Sequence, residues 1–361
     1  MKNTTLLAVI LLMLSAPIYA KETLRIFAWE GYVTPADLLS VNTLLEEQGY
    51  DIEAKLIEPF ASGPEQMFNI IRGRQCDVSF LTLNYINMQG EKTSKLLQAI
   101  DSQSPRMPNY AKLIKGLTNI PMGMSAQGPL YIPWGGGAYG IWANMKKLSA
   151  ADLPLSVKDL WRDKWKGKLS LSKGQIQPNI AIVMLAMGKP PYHINNLLSA
   201  GKRTEAIDFV NKQAQEQTNL LYGQVKYFWD GVPDYSDDLL LIASYGVEIA
   251  AENAKGGHWQ YVQFQEGSTV WMDTINFAKD LTGKKLEAAE IFANYFIGKQ
   301  VQTRVVNDLS MVSVSTLVEK NPLLDSNADF FSAQMFWPPY DKIADNIMKG
   351  MSDTAMAAAK K

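Results

Sequence analysis

Residues 24–57, LRIFAWEGYVTPADLLSVNTLLEEQGYDIEAKLI, contain a complete strand-helix-strand unit. Apolar residues alternate over 24–29 and again over 52–57, a period typical of strands. Between them Thr34 provides a helix cap and Gly49 a helix end, around apolar residues at helical spacing. Two strands joined by a helix form the repeating unit of a parallel α/β sheet, so this stretch predicts the class of the fold.

The same order of elements recurs further along the chain. A capping box at Ser62 and Glu65 predicts a second helix, and 77–81 supplies a third strand. Beyond a middle region rich in Gly and Pro, strands are predicted at 169–171 and 239–243, with helices around them. The sequence therefore predicts an α/β protein with two lobes, each a mostly parallel sheet flanked by helices.

The two predicted lobes are not consecutive in the sequence. No long linker separates them, and we expect the chain to cross between lobes near Pro129, Glu266 and Val312. Several crossings form a hinge, and a hinge allows a cleft to close on a ligand. The predicted division is a signal peptide over 1–20, lobe 1 over 21–128, lobe 2 over 129–265, a return to lobe 1 over 266–311, and a C-terminal segment over 312–361 that packs across the hinge and lobe 2.

The first twenty residues have the pattern of a secretory signal. Lys2 precedes an apolar run over 6–14, and Ala20 precedes a polar start of the mature chain. The run is too short to span a bilayer. We therefore expect a periplasmic protein.

The composition is that of an ordinary globular protein. The chain has 361 residues, 47% of them apolar and 20% charged, which suffices for two domains of normal size. The formal net charge of -1 does not favour nucleic acid as a partner. Cys76 is the only cysteine and is predicted to be a buried, small apolar residue.

Catalytic and metal-binding patterns are sparse. The only histidines are His193 and His258, and the chain has no zinc-ligand spacing, phosphate-binding loop or nucleophile elbow. The sequence therefore predicts a binding protein that is not an enzyme and needs no cofactor or metal.

An aromatic residue beside a carboxylate recurs at predicted strand ends: Trp29-Glu30, Trp229-Asp230 and Trp271-Met272-Asp273. An indole face attracts a cation by about 0.5 to 2 kcal/mol, and a carboxylate adds a charge-assisted hydrogen bond. Ligands of open α/β sheets bind at the carboxyl ends of strands. These pairs predict a site for organic ammonium groups; the alternative is that the tryptophans belong to the core and the acids to the solvated surface.

Five segments carry a resemblance to a known family, in their order and spacing: 28–35 (AWEGYVTP), 76–85 (CDVSFLTLNY), 131–134 (YIPW), 159–169 (DLWRDKWKGKL) and 271–273 (WMD). Together they resemble the periplasmic polyamine-binding proteins that serve spermidine and putrescine ABC uptake systems. The resemblance extends over nearly the whole mature chain. It implies two α/β lobes that close on an extended polyamine, with aromatic walls and carboxylates at the ammonium groups.

The resemblance also implies roles for particular residues. Trp29 and Tyr32 match the first aromatic pair, Thr82 a hydroxyl position, and Trp271 with Asp273 the aromatic residue and carboxylate that face a ligand amine. The predicted ligand-binding set is Trp29, Glu30, Tyr32, Thr82, Tyr85, Trp229, Asp230, Trp271 and Asp273.

The chain departs from the family pattern at three places. The acidic pair expected in the second lobe is replaced by Gly174 and Gln177, and the tryptophan expected after 239–243 is replaced by Ser244. Near the start of the chain, Gly31 takes the place of an acid.

Such departures matter because a buried ammonium without a carboxylate costs several kcal/mol. Either the ligand is different, or Glu30 and Asp230 replace the lost charges. Glu248 is a weaker substitute, since 247–253 has a helical pattern that can place it on the solvent side.

The same divergence resembles the norspermidine sensor branch of the family. Those proteins are implied to act through a membrane-bound cyclic-di-GMP enzyme that influences biofilm formation, whereas uptake receptors deliver their ligand to an ABC permease. The resemblance therefore implies a monomeric polyamine receptor with one of these two inner-membrane partners.

Two other kinds of ligand remain open at this point. A phosphonate or another anion would need basic residues in the cleft, for which Arg72, Arg74 and Lys173 are candidates. Iron would need paired tyrosines, and Tyr245 has no tyrosine beside it.

Overall fold

The computed structural model of the chain describes residues 21–325 and 330–359. The predicted signal peptide, 1–20, lies outside the described residues. Strands and helices in the described part alternate as the sequence patterns predict.

The strands are β1 Glu22–Phe27, β2 Ile52–Leu56, β3 Val78–Thr82, β4 Met124–Ser125, β5 Gly128–Pro129, β6 Ile132–Asn144, β7 Leu169–Ser172, β8 Val225–Trp229, β9 Leu241–Ser244, β10 Trp259–Tyr261, β11 Thr269–Phe277 and β12 Val312–Ser313. The helices are α1 Pro35–Glu47, α2 Pro64–Arg72, α3 Met88–Glu91, α4 Ile176–Ala186, α5 His193–Ser199, α6 Arg203–Phe209, α7 Gln215–Gln224, α8 Val247–Ala254, α9 Gly283–Phe296, α10 Lys299–Asn307, α11 Pro322–Asp325 and α12 Lys342–Ala359. A π-helical turn, Val210–Ala214, joins α6 to α7.

The sheet contains two groups of parallel strands. Its order in the described residues is β2-β1-β3-β11-β6-β9-β7-β8. Strand β1 pairs in parallel with β2 and β3, and β7 pairs in parallel with β8 and β9. The central strands β11 and β6 are antiparallel to their neighbours. The α/β prediction, with a mostly parallel sheet in each half, is confirmed.

Strand β6 connects the two groups. Its first part, up to Tyr139, pairs with β11, and its second part, from Gly140, pairs with β9. Strand β6 therefore passes from one group of strands to the other between Tyr139 and Gly140. The crossings between lobes predicted near Pro129, Glu266 and Val312 stay predictions.

The strand directions place two sets of strand ends opposite each other. Strands β3 and β6 are both antiparallel to β11, so β3 points in the same direction as β6, towards the second group of strands. Strand β9 is antiparallel to β6 and therefore points towards the first group. Asp273 of β11 is the register partner of both Thr82, at the end of β3, and Gly135 of β6. Ser244, at the end of β9, is the register partner of Gly140. We call the region over 135–140 of β6, between these ends, the cleft.

Glycines in β6 permit close packing in the cleft. A Cβ atom on Gly136 would lie 2.6 Å from the carbonyl oxygen of Trp271, and one on Gly137 would lie 3.1 Å from the indole ring of Trp271. These positions accept only a residue without a side chain unless neighbouring atoms move.

The C-terminal part of the chain contacts both groups of elements. Helix α12 packs against α7 and α4, and the Tyr222 and Ser352 hydroxyls are 3.0 Å apart. Before this helix, the Tyr340 amide donates to the carbonyl of Asn84, which follows β3. The segment 335–340 therefore passes from one side of the cleft to the other.

Predictions about single residues have different outcomes. Thr34 caps α1 as predicted, in a capping box with Asp37. The predicted capping box of Ser62 with Glu65 is wrong, because α2 begins after Gly63 and Ser62 bonds to the Gln66 side chain instead. Cys76 is buried as predicted, and burial raises the pKa of its thiol to about 12.

In the described residues, no helix has the length and apolar composition needed to cross a membrane.

Candidate functional site

Asp273 lies in the middle of the sheet, at the cleft. It sits on β11 opposite Thr82 of β3 and Gly135 of β6, and the β11–β6 register shifts directly after it. Only 2% of the residue is exposed. A carboxylate on a central strand is costly unless it has partners, so its surroundings decide its role.

The carboxylate of Asp273 has neutral partners only. The Tyr32 hydroxyl donates to Oδ2, Thr82 is the neighbour of Asp273 in the β3–β11 register, and Oδ1 is buried without a partner. In the described residues no lysine or arginine lies within 4.0 Å of it. Burial outweighs the opposing effect of the neighbouring Thr82 and Tyr32 hydroxyls and raises the pKa of Asp273 to about 6. A cation at Oδ1 would supply the missing charge.

Tyr32 is positioned by the loop between β1 and α1. Its ring packs against Trp134 with a centroid distance of 4.3 Å. Its pKa is well above the ordinary value, first because the hydroxyl is buried and then because of the charge on Asp273. In the same loop, Trp29 is half-buried with an unpartnered indole nitrogen, and Glu30 is exposed.

Arg304 of α10 holds the loop between β1 and α1 in place. Its guanidinium donates to the carbonyl oxygens of Gly31 and Tyr32 at 3.3 and 2.9 Å, and to Asp37 Oδ2 at 2.7 Å. Its side chain is 18% exposed and that of Asp37 only 6%. The loop that places the Tyr32 hydroxyl on Asp273 is thus held by a largely buried ion pair.

Aromatic rings line the cleft beyond Asp273. Trp271 is 5.9 Å from Tyr245 between ring centroids, and Tyr245 is 5.0 Å from Tyr139 and 6.1 Å from Trp337. The indole nitrogens of Trp271 and Trp337 are buried without partners. We call Trp271, Tyr245, Tyr139 and Trp337 the aromatic wall.

The turn that follows Thr82 adds two further residues. Asn84 is 4% exposed and its side-chain oxygen has no partner. Tyr85 is buried, and its pKa is raised first by burial and then by the charge on Asp273. Thr82, Asn84 and Tyr85 therefore all lie at the carboxyl end of β3, which faces the cleft.

Trp337 was missed by the sequence analysis. Its amide donates to the Val270 carbonyl beside Trp271, and the Tyr192 hydroxyl donates to the Met335 carbonyl just before it. The sequence signal that could have indicated this segment is the group of two aromatic residues and two prolines over 337–340. These residues are far along the chain from the other candidates, so the sequence did not show that they lie at the cleft.

The structure places Trp229 and Asp230 apart from this cluster. Trp229 packs in a second apolar cluster with Trp142 and Trp259, and its indole nitrogen donates to the Ala243 carbonyl at 3.0 Å. The Asp230 side chain is 78% exposed and lies 4.0 Å from Lys173. Neither makes a described contact with Asp273, and a ligand-binding role for them stays a prediction, as it does for Glu30.

The second lobe offers amides where the family resemblance implied acids. Gln175 directly precedes α4, and its side-chain oxygen accepts from the Tyr245 hydroxyl at 2.5 Å. The Gln177 side-chain nitrogen is buried without a partner, and Gly174 faces open space.

Two of the basic residues considered as anion ligands, Arg72 and Arg74, have other partners. Arg72 stacks on Phe68 at 5.5 Å, and Arg74 pairs with Asp280 at 3.0 Å. The described residues contain no group of three or more His, Cys, Asp or Glu side chains arranged to hold a metal.

The site therefore combines one buried carboxylate with a free oxygen, an amide oxygen at Asn84 and an aromatic wall. This chemistry suits an organic cation whose carbon chain can lie along rings.

Comparison with known proteins identifies relatives of this fold. Residues 88–346 match a family model described as bacterial extracellular solute-binding protein. No curated protein sequence matches the chain.

Solved structures share the architecture over almost the whole chain. The spermidine/putrescine ABC transporter substrate-binding protein of Streptococcus pneumoniae superimposes with a TM-score of 0.70 at 16% identity, covering 94% of this chain and 99% of its own. The TpPotD lipoprotein of Treponema pallidum has a TM-score of 0.64 at 16% identity, with 92% and 99% covered. A periplasmic binding protein of Actinobacillus pleuropneumoniae, solved with fructose-6-phosphate, has a TM-score of 0.57 at 18% identity, with 94% and 99% covered. At such identities the likeness establishes the two-lobed binding-protein fold, and the ligand has to be argued from the site.

Proposed function

Because the chain belongs to the bacterial extracellular solute-binding protein family, we propose that it binds a linear polyamine of the norspermidine or spermidine type in the cleft. The observation that carries the proposal is the buried Asp273 carboxylate, which has an unpaired Oδ1 and no basic partner among the described residues. An anionic ligand would be repelled by this group, whereas an ammonium would neutralise it.

In the proposed complex one terminal ammonium donates to Asp273 Oδ1 and to the amide oxygen of Asn84. Both acceptors are buried and unpartnered, which is the state expected of groups that a ligand completes. The methylene chain lies along Trp271 and Tyr245, where burial of each CH2 contributes about 0.8 kcal/mol.

The proposed location is the periplasm, after removal of 1–20, and the proposed partner is an inner-membrane protein that recognises the closed form. A permease would make the chain an uptake receptor. A cyclic-di-GMP enzyme would make it a norspermidine sensor that influences biofilm formation. Co-purification with one of these two membrane proteins, in the presence and absence of polyamine, would distinguish the roles.

Calorimetric titration of the folded protein with norspermidine, spermidine and putrescine is the direct test. We expect saturable binding of at least one polyamine and none of a phosphonate or sugar phosphate used as a control. A folded protein that gives no binding heat with any polyamine, at two temperatures to avoid a zero-enthalpy condition, would remove the proposal.

Polyamine affinity should depend on pH through Asp273. Its pKa of about 6 in the unliganded protein means that lowering the pH from 7.5 to 5 protonates the carboxyl, while the ligand amines, like lysine at about 10.4, keep their charge. The dissociation constant should then rise about tenfold over this interval, with proton release on binding at pH 5.

Titrations in buffers of different ionisation enthalpy would measure that proton release. A dissociation constant that stays constant between pH 7.5 and 5 would show that the bound cation does not depend on ionised Asp273.

A further inference from the structure

We propose that Glu248 forms the second anionic end of the site and binds the far ammonium of a triamine. This inference rests on the proposed polyamine function and extends it to a preference for ligand length.

A tight turn brings Glu248 back to the end of β9. Gly246 has a φ of 104°, its amide donates to Ser244 Oγ at 2.9 Å, and Ser244 Oγ donates to Glu248 Oε2 at 2.8 Å. Helix α8 begins at Val247, so Glu248 lies in its first turn, where the helix dipole stabilises a negative charge. The carboxylate is thereby fixed at a strand end that faces the cleft.

Glu248 is available for a cation. It is half-buried, and in the described residues no lysine, arginine or histidine nitrogen lies within 4.0 Å of its carboxylate. Its one described side-chain hydrogen bond leaves the other carboxylate oxygen free. Asp230, the other acid near strand ends of this lobe, is by contrast exposed and close to Lys173.

The charge of Glu248 reaches the aromatic wall. Tyr245 follows Ser244 directly and contacts Trp271 and Tyr139. Burial is the main cause of the raised pKa of both tyrosines, and the charge of Glu248 contributes to each. The aromatic wall therefore extends from Trp271, two residues before Asp273, to Tyr245, three residues before Glu248.

The register positions along strand β6 give the separation between the Asp273 end and the Glu248 end of the site. Asp273 is level with Gly135 and Ser244 with Gly140. Five residues of strand correspond to about 17 Å, and β11 and β9 lie on opposite edges of β6. The side chains of Asp273 and Glu248 shorten this separation by reaching inward. The remaining distance still favours a ligand whose terminal ammonium groups are further apart than those of putrescine. A short diamine would neutralise Asp273 and leave Glu248 hydrated.

Glu248→Gln tests this arrangement by removing the charge and keeping the shape. Calorimetry should show the affinity for norspermidine and spermidine falling at least roughly tenfold, while the affinity for putrescine changes less than about twofold. Glu252→Gln is the matched control, because it removes the same charge from the same helix one turn further on, and it should leave all three affinities unchanged. Ser244→Ala, which removes the hydrogen bond that orients Glu248, should give a smaller loss for the triamines only.

The outcomes separate the two proposals. If the wild-type protein binds no polyamine, the proposed function fails and the inference fails with it. If the wild-type protein binds triamines and Glu248→Gln binds them equally well, only the inference fails. Equal losses for putrescine and the triamines would also overturn it, because they would indicate a general effect on the lobe, which a thermal unfolding curve of the variant would reveal.

Discussion

Asp273→Asn is expected to weaken polyamine binding by at least about thirtyfold. The substitution keeps the side-chain shape and the contacts with Tyr32 and Thr82 but removes the negative charge that the ligand ammonium needs. Truncating one partner of a buried, hydrogen-bonded charge pair costs about 2 to 5 kcal/mol, which sets the lower limit of the expected loss. Calorimetry or fluorescence titration at pH 7.5 would measure it.

The same variant should be more stable than the wild type when no ligand is present. Burial raises the pKa of Asp273 from 3.8 to about 6, so the carboxyl stabilises the fold fully below pH 3.8 and that contribution is lost as the pH rises through 6. The corresponding free energy is about 3 kcal/mol. The asparagine side chain of the variant cannot ionise, so the unfolding midpoint of Asp273→Asn should exceed that of the wild type at pH 7.5 and approach it near pH 4.

Asp280→Asn is the control for both measurements. Asp280 is 54% exposed and pairs with Arg74 on the surface, so its loss should change neither affinity nor stability by more than about 1 kcal/mol. If Asp273→Asn binds polyamine as tightly as this control does, Asp273 is not the ammonium site. If Asp273→Asn were less stable than the wild type at pH 7.5, burial of the Asp273 carboxylate would not destabilise the unliganded fold.

Arg304→Met is expected to lower the free energy of unfolding by about 3 kcal/mol. The substitution leaves the Asp37 carboxylate without its cation and the carbonyls of Gly31 and Tyr32 without their donor. Removing one member of a buried ion pair costs about 3 to 5 kcal/mol, and the partial exposure of Arg304 places the expectation at the lower end. Chemical denaturation would measure the difference.

Arg304→Met should also weaken ligand binding, because the freed loop no longer holds the Tyr32 hydroxyl against Asp273. Arg74→Met removes an arginine from an exposed pair, with side chains 79% and 54% exposed, and should cost less than about 1 kcal/mol. Equal destabilisation by the two variants would show that Arg304 does not act as a largely buried clamp.

Local patterns predicted the parallel units well because each depends on neighbours in the chain. The strand predicted over 24–29 and the Thr34 cap depend on a few neighbouring residues, and the structure has a strand over Glu22–Phe27 and the cap at Thr34. The Ser62 capping box failed because Gln66, one residue beyond the expected partner, competes for the same hydroxyl. The sequence analysis gave no bounds for strand β6, since its glycines weaken a strand pattern and the close packing at Gly136 and Gly137 involves Trp271, which lies more than 130 residues away.

The candidate site was predicted unevenly for the same reason. Tyr32 and Asp273 were among the sequence candidates, and the structure brings them into contact. Trp229 and Asp230 have the same aromatic-acid pattern, yet the Trp229 indole is buried in a separate cluster and Asp230 is exposed. A residue pair in sequence does not specify which side of its strand end faces the cleft.

The sequence by itself determined the α/β class, the export pattern of 1–20 as an expectation, and the acidic-aromatic character of the candidate ligand site. These follow from periodicity and side-chain chemistry, which act over a few residues. The tertiary structure alone decided that Asp273 lacks a basic partner, that Trp337 lines the cleft, and that Glu248 faces Ser244. Burial and the pairing of charges depend on residues brought together from distant parts of the chain, and no local pattern records them.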